Sequence, residues 1–276
     1  MKRIKVLLSL MIVLVAGLAT TVYVSATPSA NLEPRNGDVF DDWEICRTRA
    51  FGEDGFYQIT ETTFRPVIAF ESMGENADLA YSLGKQIAEE YPDQLQRAKQ
   101  VFYFVRDRVR YTPDIDQFKY EEFALNADEL ASTIIQKGLG RGDCEDSAVL
   151  LAVMYQGAGY RSAIVVGGGH TAVLVYLPEY NKATTVFALE GEPGWVWAEA
   201  TGRNNPLGWV PKEFINVEVA AYEIKAETIA AAKPAASPST AITTTGKTTS
   251  SQPFPFFSII LLLWLLPLFR RRRRAR

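Results

Sequence analysis

Residues 142–154 read Gly142-Asp-Cys-Glu-Asp-Ser-Ala-Val-Leu-Leu-Ala-Val-Met154. Asp143 is a suitable helix N-cap, and Asp146 stands three residues on, as in a capping box. Ala148, Leu150, Leu151, Val153 and Met154 make the helix apolar on most sides, so it is expected to be buried. Gly157-Ala-Gly ends it. Cys144 falls in the first turn, where unpaired N–H groups and the helix dipole favour a thiolate and can hold a developing oxyanion. Asp143, Glu145 and Asp146 oppose that negative charge, so a nearby imidazolium has to outweigh them. The chain has one histidine, His170.

Upstream of this helix the apolar spacing is helical. Leu79, Ala80, Leu83, Ile87 and Ala88 predict a helix within 76–90. Leu95, Ala98, Val101, Phe102, Val105 and Val109 predict another over 93–109, with Pro92 suited to its first turn. Asn126-Ala-Asp-Glu-Leu starts a third, ending near Gly138. Downstream, Ser162–Val166, Thr171–Leu177, Thr184–Leu189 and Trp195–Ala200 are short, rich in Val and aromatics, and separated by turn residues. Helices followed by strands indicate an α+β fold with an antiparallel sheet. His170 follows Gly167-Gly-Gly at the start of a strand, where the chain can turn sharply and set the ring towards the helix. Glu199 ends the run Trp195-Val-Trp-Ala-Glu. It shares a strand face with Trp197 and Trp195 and can orient the imidazole.

The rest of the chain bounds the possibilities. Its 276 residues are 47% hydrophobic and 22% charged, which excludes a disulfide miniprotein and a wholly disordered chain. Two cysteines exclude a four-thiolate zinc site, and one histidine excludes any two-imidazole site. No cofactor or metal is expected. Three cations at Lys2, Arg3 and Lys5 and six arginines in the last seven residues account for nine of the 29 basic residues. That leaves 20 against 32 acidic residues in the middle, a net charge of −12. Such a surface argues against nucleic acid as a partner.

The ends read as addresses. Residues 1–26 have a basic start, an apolar run from Val6 to Ala19 and the small residues Val24-Ser25-Ala26, the layout of a secretory signal peptide. An uncleaved anchor helix is the alternative. Residues 27–75 form a lead-in region without clear periodicity, either a small subdomain or a wrap around the core. Residues 76–224 form the main domain. Residues 225–252 read as a stalk, with ten of the sixteen residues from Ser237 to Gln252 being Ser or Thr. Residues 253–276 carry Pro253-Phe-Pro-Phe, an apolar run to Phe269 and an arginine cluster. The 16 residues from Phe254 to Phe269 span about 24 Å as a helix, short of the roughly 30 Å hydrocarbon core unless the arginines snorkel. The arginines would stay cytoplasmic, placing the domain at the outer face of the membrane. This layout resembles the sorting tails of prokaryotic surface proteins, which sortase-like or archaeosortase-like enzymes process. The Pro-Gly-Phe signature of one archaeal class is absent. A cell-surface location is expected whether the tail is cut or kept.

From about Ala98 to Phe214 the sequence resembles the transglutaminase-like superfamily, relatives of papain-type cysteine peptidases. The resemblance rests on Val105-Arg-Asp-Arg-Val-Arg-Tyr111, Gly142-Asp-Cys-Glu-Asp146, Gly157-Ala-Gly-Tyr-Arg161, His170 and Trp195-Val-Trp-Ala-Glu-Ala-Thr-Gly202. It implies that Cys144 is the nucleophile and His170 the base. It also implies that Glu199 stands where the family has the Asp of an Asp-x-Thr element; Glu for Asp is a departure. The implied activity is a surface-anchored acyl transfer on amide bonds through a thioester, with protein or cell-wall peptide as substrate. Hydrolysis is favoured over cross-linking because water is always available. A non-catalytic binding module or a structural surface component is the alternative. Other readings stand beside individual residues. Cys144 can pair with Cys46 in a disulfide, or Cys46 can be a small buried hydrophobe. Glu199 can be an exposed strand-end carboxylate. Asp114 and Asp116 can be calcium ligands or solvated loop acids. Trp195 and Trp197 can be core or cleft wall.

Overall fold

A computed structural model of the chain describes residues 31–59 and 64–225, and the strand Ile242–Thr244. The expected signal peptide, the tail and all of the stalk except Lys225 and that strand lie outside the described residues. Among the described residues no helix is long and apolar enough to cross a membrane.

The lead-in region forms a sheet. Strands β1 (Glu33–Arg35), β2 (Asp38–Phe40), β3 (Cys46–Gly52), β4 (Gly55–Ile59) and β5 (Phe64–Pro66) lie side by side in that order. Three of them are three residues long, too short to show a period of two. Ile45, Phe56, Tyr57 and Phe64 join the same buried cluster as the helices that follow, so this sheet wraps the core. Arg47 clamps it there. Its guanidinium is fully buried and meets Asp41, Glu71 at 3.0 Å, Glu129 at 2.9 Å and the Ala124 carbonyl at 2.9 Å. Burying one guanidinium among three carboxylates is tolerable only because its donors are engaged.

Among the described residues five α-helices precede the central one, the first four being α1 (Val67–Phe70), α2 (Leu79–Glu90), α3 (Gln94–Arg108) and α4 (Asp114–Gln117). Asp93 is the N-cap of α3, accepting from the Gln96 N–H at 2.7 Å, so Pro92 stands just before the helix and not in its first turn. The helix α5 (Ala127–Lys137) opens with a complete capping box between Asn126 and Glu129 and ends at Gly138, with φ at 75°. Strands β6 (Val109–Tyr111) and β7 (Gly140–Gly142) pair in parallel and deliver the chain to α6 (Cys144–Gly157). Nearly every residue of α6 from Glu145 on is buried, in line with its all-round apolar pattern. α2 lies directly against it through two glycines. A Cβ on Gly84 would sit 2.1 Å from the Met154 carbonyl oxygen, and one on Gly157 would sit 2.0 Å from that of Tyr81.

The second sheet contains β8 (Ser162–Gly167), β9 (His170–Tyr176), β10 (Val186–Leu189), β11 (Glu192–Ala198), β12 (Val219–Ile224) and β13 (Ile242–Thr244), in the order β10-β11-β9-β8-β12-β13. Every pairing in it is antiparallel. The period of two divides its side chains. Ile164, Val173, Val175, Val196 and Ala198 join the helical core, while Val165, Leu174, Trp195 and Trp197 pack on the far face with Phe214. The two tryptophans are therefore core on that face. The fold is α+β, as the order of helices and strands implies.

Candidate active site

Three elements converge on one point. Cys144 is the first residue of α6, His170 the first residue of β9, and Glu199 follows the last residue of β11. Register explains the second and third. Gly167 and His170 are paired at the end of the β8–β9 hairpin, and β11 runs antiparallel to β9, so the end of β11 arrives beside the start of β9. The turn between β8 and β9 needs Gly168 and Gly169 at φ of 57° and 75°, a region open to glycine without strain.

The imidazole is bonded to the carboxylate and shares a cavity with the thiol. His170 Nε2 lies 2.6 Å from Glu199 Oε2. The Cys144 thiol lines the same cavity as the ring and, with Glu199, acts to raise its pKa. Glu199 is 2% exposed and is not a free strand-end acid. Its Oε1 accepts from the Thr201 N–H at 3.1 Å and from the Thr201 hydroxyl, and the Trp197 indole N–H lies 3.5 Å from Oε2. Phe214 stacks on the imidazole at 5.8 Å between centroids and on Trp197 at 5.2 Å. The Thr201 contact was foreshadowed by the Glu199-Ala-Thr element. Phe214 had no sequence signal, since it sits in a 3₁₀ turn (Lys212–Phe214) after irregular chain.

The electrostatics favour a proton on the ring. Burial alone would lower the His170 pKa, but hydrogen bonds to Cys144 and Glu199 outweigh it and raise the value to about 10. The Glu199 pKa is lowered: burial works against this, and the His170 hydrogen bond and charge prevail. Cys144 is half-buried and Cys46 fully buried, and both are free thiols, so the disulfide reading does not describe this structure. Burial raises the Cys46 thiol pKa, as for a small core side chain. The Cys144 sulfur also lies 3.2 Å from Glu145 Oε2.

The acids around the thiol are withdrawn from water. Asp146 accepts from the Leu125 N–H at 2.7 Å and the Asp143 N–H at 3.3 Å. Asp114 accepts from the Phe123 N–H at 2.6 Å. Asp116 is exposed and joins none of the clusters of three or more metal-ligating side chains among the described residues. Asp114 instead stands with Asp143 and Asp146, their oxygens within 4.8 Å of one another.

A thiol at a helix start, an imidazole between it and a buried carboxylate, and an antiparallel sheet carrying the last two define a cysteine–histidine–carboxylate site on an α+β fold. A family model described as the transglutaminase-like superfamily matches residues 81–214, a span containing all three residues, and over that span the chain is a transglutaminase-like superfamily domain. A comparison with curated proteins found no match.

Proposed function

We propose that the protein is a cysteine-dependent acyl-transfer enzyme that acts on amide bonds through a thioester. The observation carrying this reading is that the His170 imidazole, 2.6 Å from Glu199 Oε2, lines one cavity with the Cys144 thiol. Cys144 Sγ attacks the amide carbonyl carbon as its proton passes to His170. The carbonyl oxygen becomes an oxyanion; the Cys144 N–H, unpaired at the first helical position, supplies a donor for it. Collapse breaks the C–N bond as His170 passes its proton to the leaving amine. Water then attacks the thioester, His170 takes a proton from it, and sulfur leaves. Glu199 orients the ring and stabilises the imidazolium.

Hydrolysis is the favoured outcome because water is always available to the cavity on which the thiol opens. The expected signal peptide and the arginine-terminated tail support anchoring at the outer face of the membrane, where protein or cell-wall peptide is the available substrate. The tail provides the membrane contact, or a substrate for a sorting enzyme.

Single-turnover acylation tests the mechanism. Wild-type protein mixed with an activated ester such as p-nitrophenyl acetate is expected to gain one acyl group on Cys144, read by intact mass and peptide mapping. Cys144→Ala and His170→Ala should each abolish it. Glu199→Gln should slow it by about 10²-fold, less than the roughly 10⁴-fold seen when a serine triad loses its carboxylate, because a thiolate–imidazolium pair can exist before substrate arrives. Wild-type acylation in folded His170→Ala would overturn the mechanism. A wild-type protein that is never acylated would favour a binding module.

A further inference from the structure

Two cavities meet at His170. One, of about 580 Å³, contains Cys144 and is lined by the carboxylates of Asp38, Glu121, Glu122, Asp143 and Glu145. The guanidinium in its wall, Arg49, is already held by Asp38 and by Asp54 at 2.6 Å. The other, of about 630 Å³, lies beyond the imidazole and is walled chiefly by Phe64, Trp209, Phe214, Val217 and Val219, with the exposed Glu213 and Glu218 at its margin. Phe51, Val166 and His170 line both, so the cavities are two halves of one cleft. Glu145 gives the acidic half a specific need. Its side chain is 4% exposed and lines the cavity, yet Oε1 has no hydrogen-bond donor among the described residues. Its polar neighbours there are the Cys144 thiol, 3.2 Å from Oε2, and the carboxylates of Asp114, Glu122 and Asp143. A buried carboxylate oxygen without a donor is costly, and a cation entering the cavity would offset that cost.

Building on the proposed acyl-transfer reading, we propose that the cleft selects a peptide segment. A cationic side chain, lysine or arginine, enters the acidic half beside Cys144, and an apolar side chain enters the half beyond His170. The reacting carbonyl then lies between them, over the thiol. Carboxylates that burial holds towards their neutral form also gain from a cation, which favours their charged form. Trp209 and Phe214 offer flat apolar faces to the other side chain.

Protection of the thiol tests this without requiring turnover. The rate of Cys144 alkylation by iodoacetamide is measured on the full chain in the presence of acetyl-Phe-Gly-Lys-Gly-Phe-amide, which carries an apolar residue on either side of the cation. The lysine peptide is expected to protect, and replacing its lysine by glutamate should raise the concentration for half-protection about tenfold or more, equivalent to about 1.4 kcal/mol. Replacing both phenylalanines by serine should weaken protection comparably. In Glu121→Gln/Glu122→Gln, a change at two exposed side chains, the lysine–glutamate difference should shrink. Equal protection by the lysine and glutamate peptides would overturn the proposal. So would loss of the lysine preference on adding calcium, which would mark the acidic half as a metal site. Because protection reads occupancy, it can succeed in a protein that fails acylation, and fail in one that is acylated.

Discussion

Asp143, Glu145 and Asp146 look, in the sequence, like charges working against a thiolate at Cys144. Burial changes their effect. Glu145 and Asp146 are almost wholly removed from water, and their pKa values are raised well above the ordinary range, first by burial and then by neighbouring negative groups. Their charged forms are disfavoured, so the negative field at the sulfur is weaker than the formal charges suggest. Asp114 follows the same physics. Burial, with Asp143 beside it, raises its pKa from 3.8 to about 7. The sign is that of a carboxyl whose folded value exceeds its unfolded one: the stabilisation is complete below 3.8 and is lost as pH rises through about 7. Chemical denaturation is therefore expected to show stability declining across that window. Asp114→Asn, which keeps an acceptor for the Phe123 N–H, should flatten the decline. Identical slopes in the two proteins would remove Asp114 as a cause.

Among elements, α2 and α6 meet backbone to backbone at Gly84 and Gly157. Neither Gly84 nor Gly157 needs a positive φ; each is required by the backbone of the facing helix, 2.0–2.1 Å from where a Cβ would stand. Gly84→Ala and Gly157→Ala should each reduce the unfolding free energy by about 1–3 kcal/mol or more, measured by urea denaturation. Unchanged midpoints in both would mean that the helices do not pack this closely. Gly157 was read only as a helix terminator, because a sequence shows where a helix stops but not which helix crosses it. The same distinction runs through the fold. α3, α5 and α6 were legible from apolar spacing and caps, and β8 and β9 from short runs rich in Val and aromatics between turn residues. The lead-in sheet was not, because its pairings join strands of three to seven residues with no repeating pattern. β12, Val219–Ile224, escaped as well: Ala220, Ala221 and Glu223 dilute its strand character, and its place is set by pairing with β8. At the site, Cys144, His170 and Glu199 could be named from residue type and order. Their junction depended on antiparallel register, and the stacking of Phe214 on His170 depended on tertiary packing alone.

At the scale of the whole molecule, the fold gathers a helix start, a strand start and a strand end into one site, and the Arg47 cluster holds the N-terminal sheet across the helices beside it. Phe51, Phe56 and Tyr57 of that sheet line the cavity at Cys144, so the lead-in region forms part of the cleft as well as part of the core. The central claim is that the folded protein keeps a proton on His170 between the Cys144 thiol and the Glu199 carboxylate. Since the chain contains one histidine, its ring resonances can be followed by NMR without ambiguity as pH is varied. The account predicts a midpoint near 10 in the wild-type protein, and a lower one in both Cys144→Ala and Glu199→Gln, each of which removes one of the two partners that raise it. A wild-type midpoint at the ordinary 6.5, unmoved by either substitution, would contradict it.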